Sequence, residues 1–399
     1  MITLNAAPAM DLIPASGAAT IMRAHYYDAA LHRAITQTGA LDGPGILERA
    51  AAGSAYRAVL ASGTGSTAVE ALRSIIGQTG LGDVERIGED DGEIEVVLSS
   101  SPYAIARQEM FGAASVATCD ITRGIIAGVL AAVSGLKYGV EEVSCEGAGG
   151  NRCHFLAVPA DGALEISEIP GFVWPTPGSA SAEDPSLDVG ELLKGLLGAA
   201  AGVPGATYGR LWADLYTQAS HDFEEAVPRT MGSKFSNLPS VVLSEAAHLG
   251  TFYSIGGLLR SVQWQESVAT RVPARTDWVH VIVALINSFG WGDWRVCLLA
   301  PEQRFTVHVH DGYEALSSVA LAGLSTQPRC YFARGVVAAL MNVLYGGDAI
   351  SAPALNQSVY NGLFRSPLSF RAIETRCQAM GDPYCEFVAN PLSPGLRRG

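Results

Sequence analysis

Apolar and polar residues alternate in two short segments of the chain, residues 92–99 (GEIEVVLS) and residues 304–311 (RFTVHVHD). Successive side chains of a strand point to opposite faces, so both segments are predicted to be half-buried strands. Each segment comes after a stretch with helical periodicity, residues 18–37 and residues 208–227. The pattern therefore predicts an α+β fold, an α/β sandwich in which helices pack on a mainly antiparallel sheet.

This order of elements occurs twice because the sequence repeats itself. Residues 140–159 (VEEVSCEGAGGNRCHFLAVP) match residues 372–391 (AIETRCQAMGDPYCEFVANP) at a shift of 232. Residues 118–130 match residues 329–341 at a shift of 211, and further upstream Tyr103 aligns with Tyr313 at a shift of 210. We interpret the chain as a tandem duplication whose second copy carries 21 extra residues near 350–370, which are predicted to form a loop or lid.

The duplication sets the expected domain boundaries. The segment 168–190 is rich in Pro, Gly and Ser and has no periodicity, as is typical of a linker. We expect a first domain at residues 1–165, a linker at 166–190 and a second, homologous domain at 191–399. A length of 399 residues suits two domains of ordinary size.

Composition narrows the function class. Hydrophobic residues make up 48% of the chain, charged residues 16%, and the net charge is −13. This balance is typical of a folded globular protein, and the absence of a dense basic run argues against nucleic acid or an anionic membrane surface as a partner. The apolar segments 124–136 and 192–203 are too short to span a bilayer. The N-terminal residues lack the basic start of a secretory signal, so a cytoplasmic location is expected.

The cysteines supply the strongest chemical signal. Six of the seven fall into two matched sets, and an odd number without an export signal favours thiols or metal ligands over disulfides. A strand that ends in one cysteine and a turn that returns to another bring two thiolates together, and a third cysteine at a helix start can complete a Zn²⁺ site. The alternatives are buried cysteines that act as small hydrophobic residues, or a disulfide. The matched sets are Cys119, Cys145 and Cys153, and Cys330, Cys377 and Cys385.

A glutamate precedes the middle cysteine of each set by three residues, Glu142 before Cys145 and Glu374 before Cys377. It is the candidate fourth ligand. Residues three apart on a regular strand face opposite sides of the sheet. The glutamate and the cysteine can therefore share a metal only if a bulge or the end of the strand turns one of them.

The Cys-x3-Arg-Gly helix start and the Glu-x2-Cys-x7-Cys hairpin resemble the 4-vinyl-reductase domain family, which includes bacteriochlorophyll-biosynthesis proteins and the sensor domains of phenol-responsive activators. The resemblance covers both copies. It implies an α/β sandwich related to haem nitric-oxide sensors, with an apolar pocket for an aromatic or tetrapyrrole-like ligand near the metal. It also implies two structural zinc ions per chain, held by Cys119, Glu142, Cys145 and Cys153 and by Cys330, Glu374, Cys377 and Cys385.

A zinc ion with four protein ligands has no open position for catalysis, so function is expected to come from the pocket. All six tryptophans lie outside the first copy, and the pocket candidates are Trp278, Trp291 and Trp294. The alternative for each is ordinary core packing. The sequence therefore favours a zinc-containing carrier, sensor or chaperone for a small molecule.

The competing hypothesis is a metal-dependent enzyme, reductive or otherwise, in pigment or secondary metabolism. The second copy contains histidines and carboxylates three apart on helical segments, and two histidines on one strand face. No nicotinamide or flavin motif accompanies them, so a reductase would need a partner enzyme; a homodimer is also expected to be possible. The candidate catalytic residues are Glu245, His248, Asp277, His280, His308 and His310.

Overall fold

The computed structural model describes residues 20–39, 41–63, 67–164, 166, 208–346, 350–352 and 354–392. The predicted linker at 166–190, apart from Ile166, and the apolar segment 192–203 lie outside these residues. In the described part of the chain, no helix is both long and apolar enough to cross a membrane.

Helices and strands follow the same order in the two copies, with antiparallel sheets in both. The predicted α+β fold is confirmed. The first copy contains β1 Thr20–Ala24, α1 His25–Thr36, α2 Gly43–Ser62, α3 Ala68–Thr79, β2 Asp83–Asp90, β3 Glu93–Ser99, α4 Pro102–Phe111, α5 Asp120–Ser134, β4 Lys137–Ser144 and β5 Cys153–Ala160. The second contains β6 Tyr208–Trp212, α6 Ala213–Met231, α7 Leu238–Arg260, α8 Arg275–Ser288, β7 Asp293–Ala300, β8 Arg304–His310, α9 Tyr313–Ala322, α10 Tyr331–Tyr345, α11 Gln357–Phe364, β9 Phe370–Arg376 and β10 Cys385–Pro391.

Each copy builds one four-stranded sheet, in the orders β2-β3-β5-β4 and β7-β8-β10-β9. Alternation along β3 buries Ile94, Val96 and Leu98 while their neighbours are more exposed. This is the pattern from which the strand was predicted. Identical strand order in the two sheets fits two tandem domains.

Small residues allow the long helices of each copy to pack closely. A Cβ atom on Gly124 of α5 would lie 2.2 Å from the carbonyl oxygen of Glu48 in α2. The equivalent Gly335 of α10 would place its Cβ 2.3 Å from the carbonyl oxygen of Ser244 in α7. Neither position can therefore accept a side chain without moving a helix backbone. The Arg-Gly pair after each helix-start cysteine thus serves helix packing through its glycine.

The segments predicted to be helical from residues 18 and 208 begin as strands. Strands β1 and β6 pair antiparallel, with Thr20 opposite Trp212 and Ala24 opposite Tyr208. Helices α1 and α6 begin only at His25 and Ala213. A five-residue apolar segment has no reliable periodicity, and here a partner distant in sequence satisfies its backbone groups.

Contacts divide the chain into two compact units. The described residues of the first unit are those up to Ile166 together with 208–239; those of the second are 240–392. The first unit thus includes β6 and α6, which belong to the second copy by sequence. Two polar contacts hold α6 there: Arg57 Nη2 lies 2.6 Å from Asp214 Oδ2, and the Tyr216 hydroxyl donates to Asp28 Oδ1 at 2.7 Å.

Alignment of the two copies shifts by one residue at a hairpin. Strands β2 and β3 are joined by two residues, Asp91 and Gly92, whereas residues 301–303 join β7 and β8. Helices α4 and α9 then match throughout, from the capping residues Ser101 and Gly312 onward. The alignment of Tyr103 with Tyr313 was therefore wrong, and Tyr103 corresponds to Glu314.

The extra segment of the second copy contains helix α11, which packs on its core. Tyr360, Leu363 and Phe364 of α11 are buried, and the Phe364 ring lies 5.5 Å from that of Phe252 in α7. The prediction of a loop or lid was therefore wrong for residues 357–364, which form a helix in the apolar core.

Candidate metal centres

Four potential ligands converge at one end of each sheet. Cys119 and Cys330 occupy the residue before α5 and α10, where the chain enters the helix. The other three ligands of each copy lie on a hairpin: the glutamate within β4 or β9, the second cysteine just beyond that strand, and the third at the start of β5 or β10. In each copy the four donor atoms lie within 4.8 Å of one another.

A register shift lets the glutamate and the cysteine share one side of the hairpin. In the β4–β5 pair the register shifts between Glu142 and Ser144, which leaves Val143 as an extra, 52% exposed residue. In the β9–β10 pair the shift falls at the equivalent place, beside Glu374. This is the bulge that the spacing of glutamate and cysteine requires.

The turn between the second and third cysteines has one geometry in both copies. A short 3-10 turn ends at Gly149 with φ 90° and at Gly381 with φ 94°, a left-handed conformation that favours glycine. Backbone N–H groups in the turn point at the returning sulfur: Glu146 N lies 3.5 Å from Cys153 Sγ, and Gln378 N lies 3.2 Å from Cys385 Sγ. Such donors stabilise a thiolate.

The sulfur–sulfur distances discriminate among the three hypotheses for the cysteines. Cys119 Sγ lies 3.7 Å from Cys145 Sγ and 3.8 Å from Cys153 Sγ, and the matching distances from Cys330 are 3.9 and 3.5 Å. A disulfide requires about 2.05 Å. Sulfurs bonded to one tetrahedral zinc at about 2.3 Å are separated by about 3.8 Å. The observed distances therefore fit metal ligation and exclude disulfides in this structure.

Each glutamate leaves one oxygen for the centre. Glu142 Oε2 accepts a hydrogen bond from the backbone N–H of Cys119 at 2.9 Å, and Glu374 Oε2 accepts one from Cys330 at 3.2 Å. The other oxygen of each, Oε1, is buried without a hydrogen-bond partner among the described residues. An unpartnered buried oxygen beside three thiols has the chemistry of a missing ligand bond. The residues present thus fit a tetrahedral ion in both copies.

Protonation equilibria point the same way. Hydrogen bonds from the Cys119 and Cys153 thiols hold the pKa of Cys145 far below its usual range. Burial, and then the Cys145 charge, raise the pKa of Glu142 to about 8, and burial raises that of Glu374 to about 9. Without a cation each cluster tolerates little negative charge. A divalent ion would compensate the charge and favour deprotonation of the remaining ligands.

Residues 110–159, which carry the whole first ligand set, match the model of the 4-vinyl-reductase domain. This segment resembles that family. The match confirms the predicted resemblance for the first copy; it does not extend to the second copy, whose kinship rests on repeated spacing and strand order. No curated protein matches the sequence.

The solved structures similar to the chain include one that matches it over a longer stretch than this segment. It is the phenol-responsive sensory domain of the transcription activator PoxR with phenol, at 15% identity and a TM-score of 0.32. The similarity covers 52% of this chain and 92% of that domain. A score this low supports no inference about the ligand of the present chain.

Two of the three pocket candidates line a cavity beside the second centre. Trp291 and Trp294 face a space of about 10 Å³ that Cys330 and Cys385 also border. The third candidate, Trp278, does not line this cavity: its ring packs edge-on against Trp264, and its Nε1 donates to the carbonyl oxygen of Val272 at 2.7 Å. Trp278 is therefore a residue of the packed core, as in the alternative interpretation of the tryptophans.

The candidate catalytic residues are not brought together. Glu245 is exposed whereas His248 is buried, so this pair does not share a site. Asp277 and His280 are half-buried on α8. None of the six candidates belongs to a group of three or more potential metal ligands among the described residues.

The two strand histidines take part in other contacts. His308 Nε2 lies 2.9 Å from Glu386 Oε2, and its ring stacks on Tyr384 with centroids 4.1 Å apart. The His310 ring lies 5.3 Å from that of Tyr384. This side of the sheet is therefore a polar and aromatic surface layer in the structure.

Sequence reasoning missed a buried polar network in the second copy. The imidazole of His248 contacts the Tyr360 hydroxyl through Nδ1 at 3.1 Å and the Asn342 amide through Nε2 at 3.0 Å. Asn342 also bonds both backbone groups of Phe370, where β9 begins. Burial lowers the pKa of His248 to about 3, so the imidazole is neutral. Asn342 aligns with Ala131 at the shift of 211, a contrast that could have drawn attention to it.

Proposed function

We propose that the protein is a zinc-containing small-molecule-binding protein whose second copy binds a small, uncharged aromatic compound. The observation that carries the proposal is the cavity between Trp291 and Trp294, which adjoins Cys330 and Cys385 of the second centre. Carrier, sensor and chaperone are the roles compatible with such a site.

The walls of this cavity favour an apolar ligand. Trp291, Trp294, Tyr313, Phe332 and Phe387 supply five aromatic rings. Aromatic rings bind other rings through edge-to-face or offset contacts. They therefore favour a planar, apolar ligand over a polar one.

The one carboxylate in the wall does not offer its charge to a ligand. Glu314 accepts hydrogen bonds from the backbone N–H groups of Phe332 and Ala333 at 2.7 and 2.8 Å, at the start of α10. These donors and the positive end of the helix compensate its charge. A neutral ligand is therefore favoured over a cation.

Size favours a monocyclic ligand over a tetrapyrrole. A space of about 10 Å³ holds about one water molecule, so the rings must move apart to admit any aromatic compound. One six-membered ring requires far less movement than a macrocycle. Of the two predicted ligand classes, a small aromatic compound is therefore better supported than a tetrapyrrole.

We assign zinc to both centres because three cysteines and a carboxylate suit this ion and the sulfur separations match its bond lengths. With four protein ligands the zinc ions are structural. They fix the hairpin and the helix start that border the cavity, so metal binding and pocket shape depend on each other.

The enzyme hypothesis has less support. His248 is hydrogen-bonded through both ring nitrogens inside the core, and His308 pairs with Glu386. Neither histidine lies in a group of three or more potential metal ligands among the described residues. A cytoplasmic location, a homodimer and a partner enzyme stay predictions.

The test is a titration of the full chain with phenol, the simplest monocyclic probe, followed by tryptophan fluorescence and calorimetry. Val309→Phe fills the cavity from β8. Leu98→Phe is the matched control, because Leu98 pairs with Cys153 as Val309 pairs with Cys385. We expect saturable phenol binding that Val309→Phe removes and Leu98→Phe retains, with metal content unchanged.

Binding that survives in Val309→Phe, or no binding at millimolar phenol, would contradict the proposed site. Protoporphyrin is the second probe. If it binds more tightly than phenol and competes with it, the ligand class is a tetrapyrrole instead.

A further inference from the structure

A second cleft lies in the first unit, between α2 and α6, and none of its lining residues belongs to a cysteine cluster. Its volume is about 540 Å³, within the roughly 300 to 1,000 Å³ of small-molecule sites. Helix α6 belongs to the second copy by sequence, so the two walls come from different copies. The cleft exists only because α6 packs on α2.

One wall contains a buried acceptor without a partner. Gln218 of α6 is 6% exposed, and its Nε2 donates to Asp222 Oδ1 at 2.6 Å. This bond fixes the orientation of the amide, because only its nitrogen can donate to a carboxylate. Gln218 Oε1 is then left with no hydrogen-bond partner among the described residues. A buried acceptor of this kind destabilises the protein unless a donor from outside satisfies it.

The opposite wall carries two arginines on α2. Arg57 is held in place by Asp214, to which its Nε and Nη2 donate at 3.1 and 2.6 Å. Arg49 has only a 3.4 Å contact with Asp42, and the side chains of this pair are 51% and 70% exposed. An exposed pair of this length contributes little. The Arg49 guanidinium is therefore available to a carboxylate in the cleft.

Between the two arginines the cleft is open at a glycine of α2. Gly53 lies one helical turn from both, and a Cβ atom there would come within 3.2 Å of Arg57 Nη1. Glycine inside a helix costs about 0.5 to 1 kcal/mol relative to alanine. Here it leaves room beside the guanidinium. The half-buried Leu164 and Ile166 supply the apolar side chains of the same cleft.

We propose that this cleft binds a hydrophobic α-amino acid, a function separate from the aromatic site of the second copy. The carboxylate of the ligand pairs with Arg49 and approaches Arg57. Its ammonium group donates to Gln218 Oε1 and Asp222, and its hydrocarbon side chain covers Leu164 and Ile166. The cleft thus offers a complementary group to each of the three parts of such a molecule.

The experiment is calorimetry and thermal denaturation of the full chain with L-leucine as the probe. Two analogues each lack one recognised group: L-2-hydroxyisocaproate has no ammonium, and isoamylamine has no carboxylate. We expect saturable leucine binding and an upward shift of a thermal transition, with each analogue at least about tenfold weaker, as expected for the loss of one charged hydrogen bond.

Variants test the assigned groups. Gln218→Leu and Arg49→Met are each expected to weaken leucine binding by about tenfold or more, a loss of one charge-assisted contact. Gln78→Leu and Arg73→Met are matched controls on α3, outside the cleft, and are expected to bind leucine normally. Arg49 is half exposed, so its variant tests the site even if Gln218→Leu folds poorly.

Three outcomes would overturn the proposal. Absence of saturable leucine binding at about 10 mM, weaker than nearly all metabolite sites, would mean that water alone satisfies Gln218. Equal binding of 2-hydroxyisocaproate would exclude recognition of the ammonium group. Unchanged leucine binding in both cleft variants would place the amino acid elsewhere.

Discussion

The two copies hold the same four ligands in nearly the same backbone geometry. Cys145 has φ −139° and ψ 127°, and Cys377 has φ −143° and ψ 125°. Both hairpins have a register shift beside the glutamate. A tetrahedral ion fixes four donor positions at once, so a ligand cluster of this kind tolerates little change.

Elsewhere in the two copies the equivalent residues differ much more. At one helix position the first copy has Tyr103, fully buried against the His32 ring, and the second has Glu314, which binds the start of α10. The alanines Ala52 and Ala131 of the first copy correspond to His248 and Asn342 in the second. The two ligand clusters are thus alike, whereas other equivalent positions of the two copies carry different residues. This contrast agrees with the proposed function, in which the metal ions are structural and the ligand binds to residues that differ between the copies.

We expect the largest effect from removing one cysteine ligand from either cluster, because each change should affect only its own copy. Cys145→Ser and Cys377→Ser should each remove one metal ion and unfold mainly their own hairpin and helix start, because structural metal binding is coupled to local folding. Calorimetry should show a split transition, with a different half destabilised in each variant. Cys297→Ser is the control, since Cys297 is exposed and outside both clusters. If both variants melt like the control, the cysteines are ordinary core residues and not metal ligands.

Asn342→Ala gives the core of the second copy an alanine where the first copy has Ala131. It leaves His248 Nε2 and both backbone groups of Phe370 without their partner. We expect a loss of about 3 kcal/mol in unfolding free energy, measured by urea denaturation. Asn361→Ala on α11, whose amide makes only an exposed contact with Gln357, should cost far less. Equal losses would show that the network contributes nothing specific.

Acid should destabilise the second unit more than the first through His248. Its pKa of about 3 in the folded protein lies below the ~6.5 of an exposed histidine, so between these values the unfolded chain binds a proton that the folded chain does not. Unfolding free energy therefore falls as the pH drops, by about 1.4 kcal/mol per unit, or about 2 kcal/mol from pH 6.5 to 5. Denaturation of His248→Gln over this range should show a flatter slope. An unchanged slope would show that protonation of His248 does not contribute to the pH dependence of the unfolding free energy.

The smallest effects should have opposite signs at the equivalent positions 314 and 103. Glu314→Gln replaces one of two acceptors at the start of α10 with an N–H donor and should destabilise by about 1 kcal/mol. Tyr103→Phe removes a buried hydroxyl that has no partner among the described residues, and should be neutral or stabilise by up to about 1 kcal/mol. Chemical denaturation measures both. Changes in unfolding free energy of the same sign would contradict the different roles proposed for the two positions.

The sequence predicted the residues of both ligand clusters. The spacing within each hairpin identified two cysteines and the glutamate, and the repeat identified the third cysteine. Spacing alone placed the two hairpin cysteines at one end of a strand pair, and the period of a strand required a bulge beside Glu142. The repeat supplied Cys119 and Cys330 as third ligands without any structural knowledge. Spacing within the hairpin and the repeat along the chain together identified the ligand candidates, although Cys119 and Cys145 are 26 residues apart.

Other features of the fold depend on contacts between residues that are distant in sequence, and no local sequence pattern predicts these contacts. Pairing of β1 with β6 turned the start of each predicted helix into a strand. A one-residue difference in a hairpin turn moved the partner of Tyr103 from Tyr313 to Glu314. The polar network around Asn342 became visible only when α7, α10 and α11 were seen together.

The metal content of the purified full chain tests the central claim most directly. Elemental analysis by mass spectrometry is expected to find two zinc ions per chain, and one in Cys145→Ser or Cys377→Ser. Fewer than one zinc ion per chain in the unmodified protein would contradict the assignment of both clusters as structural zinc centres.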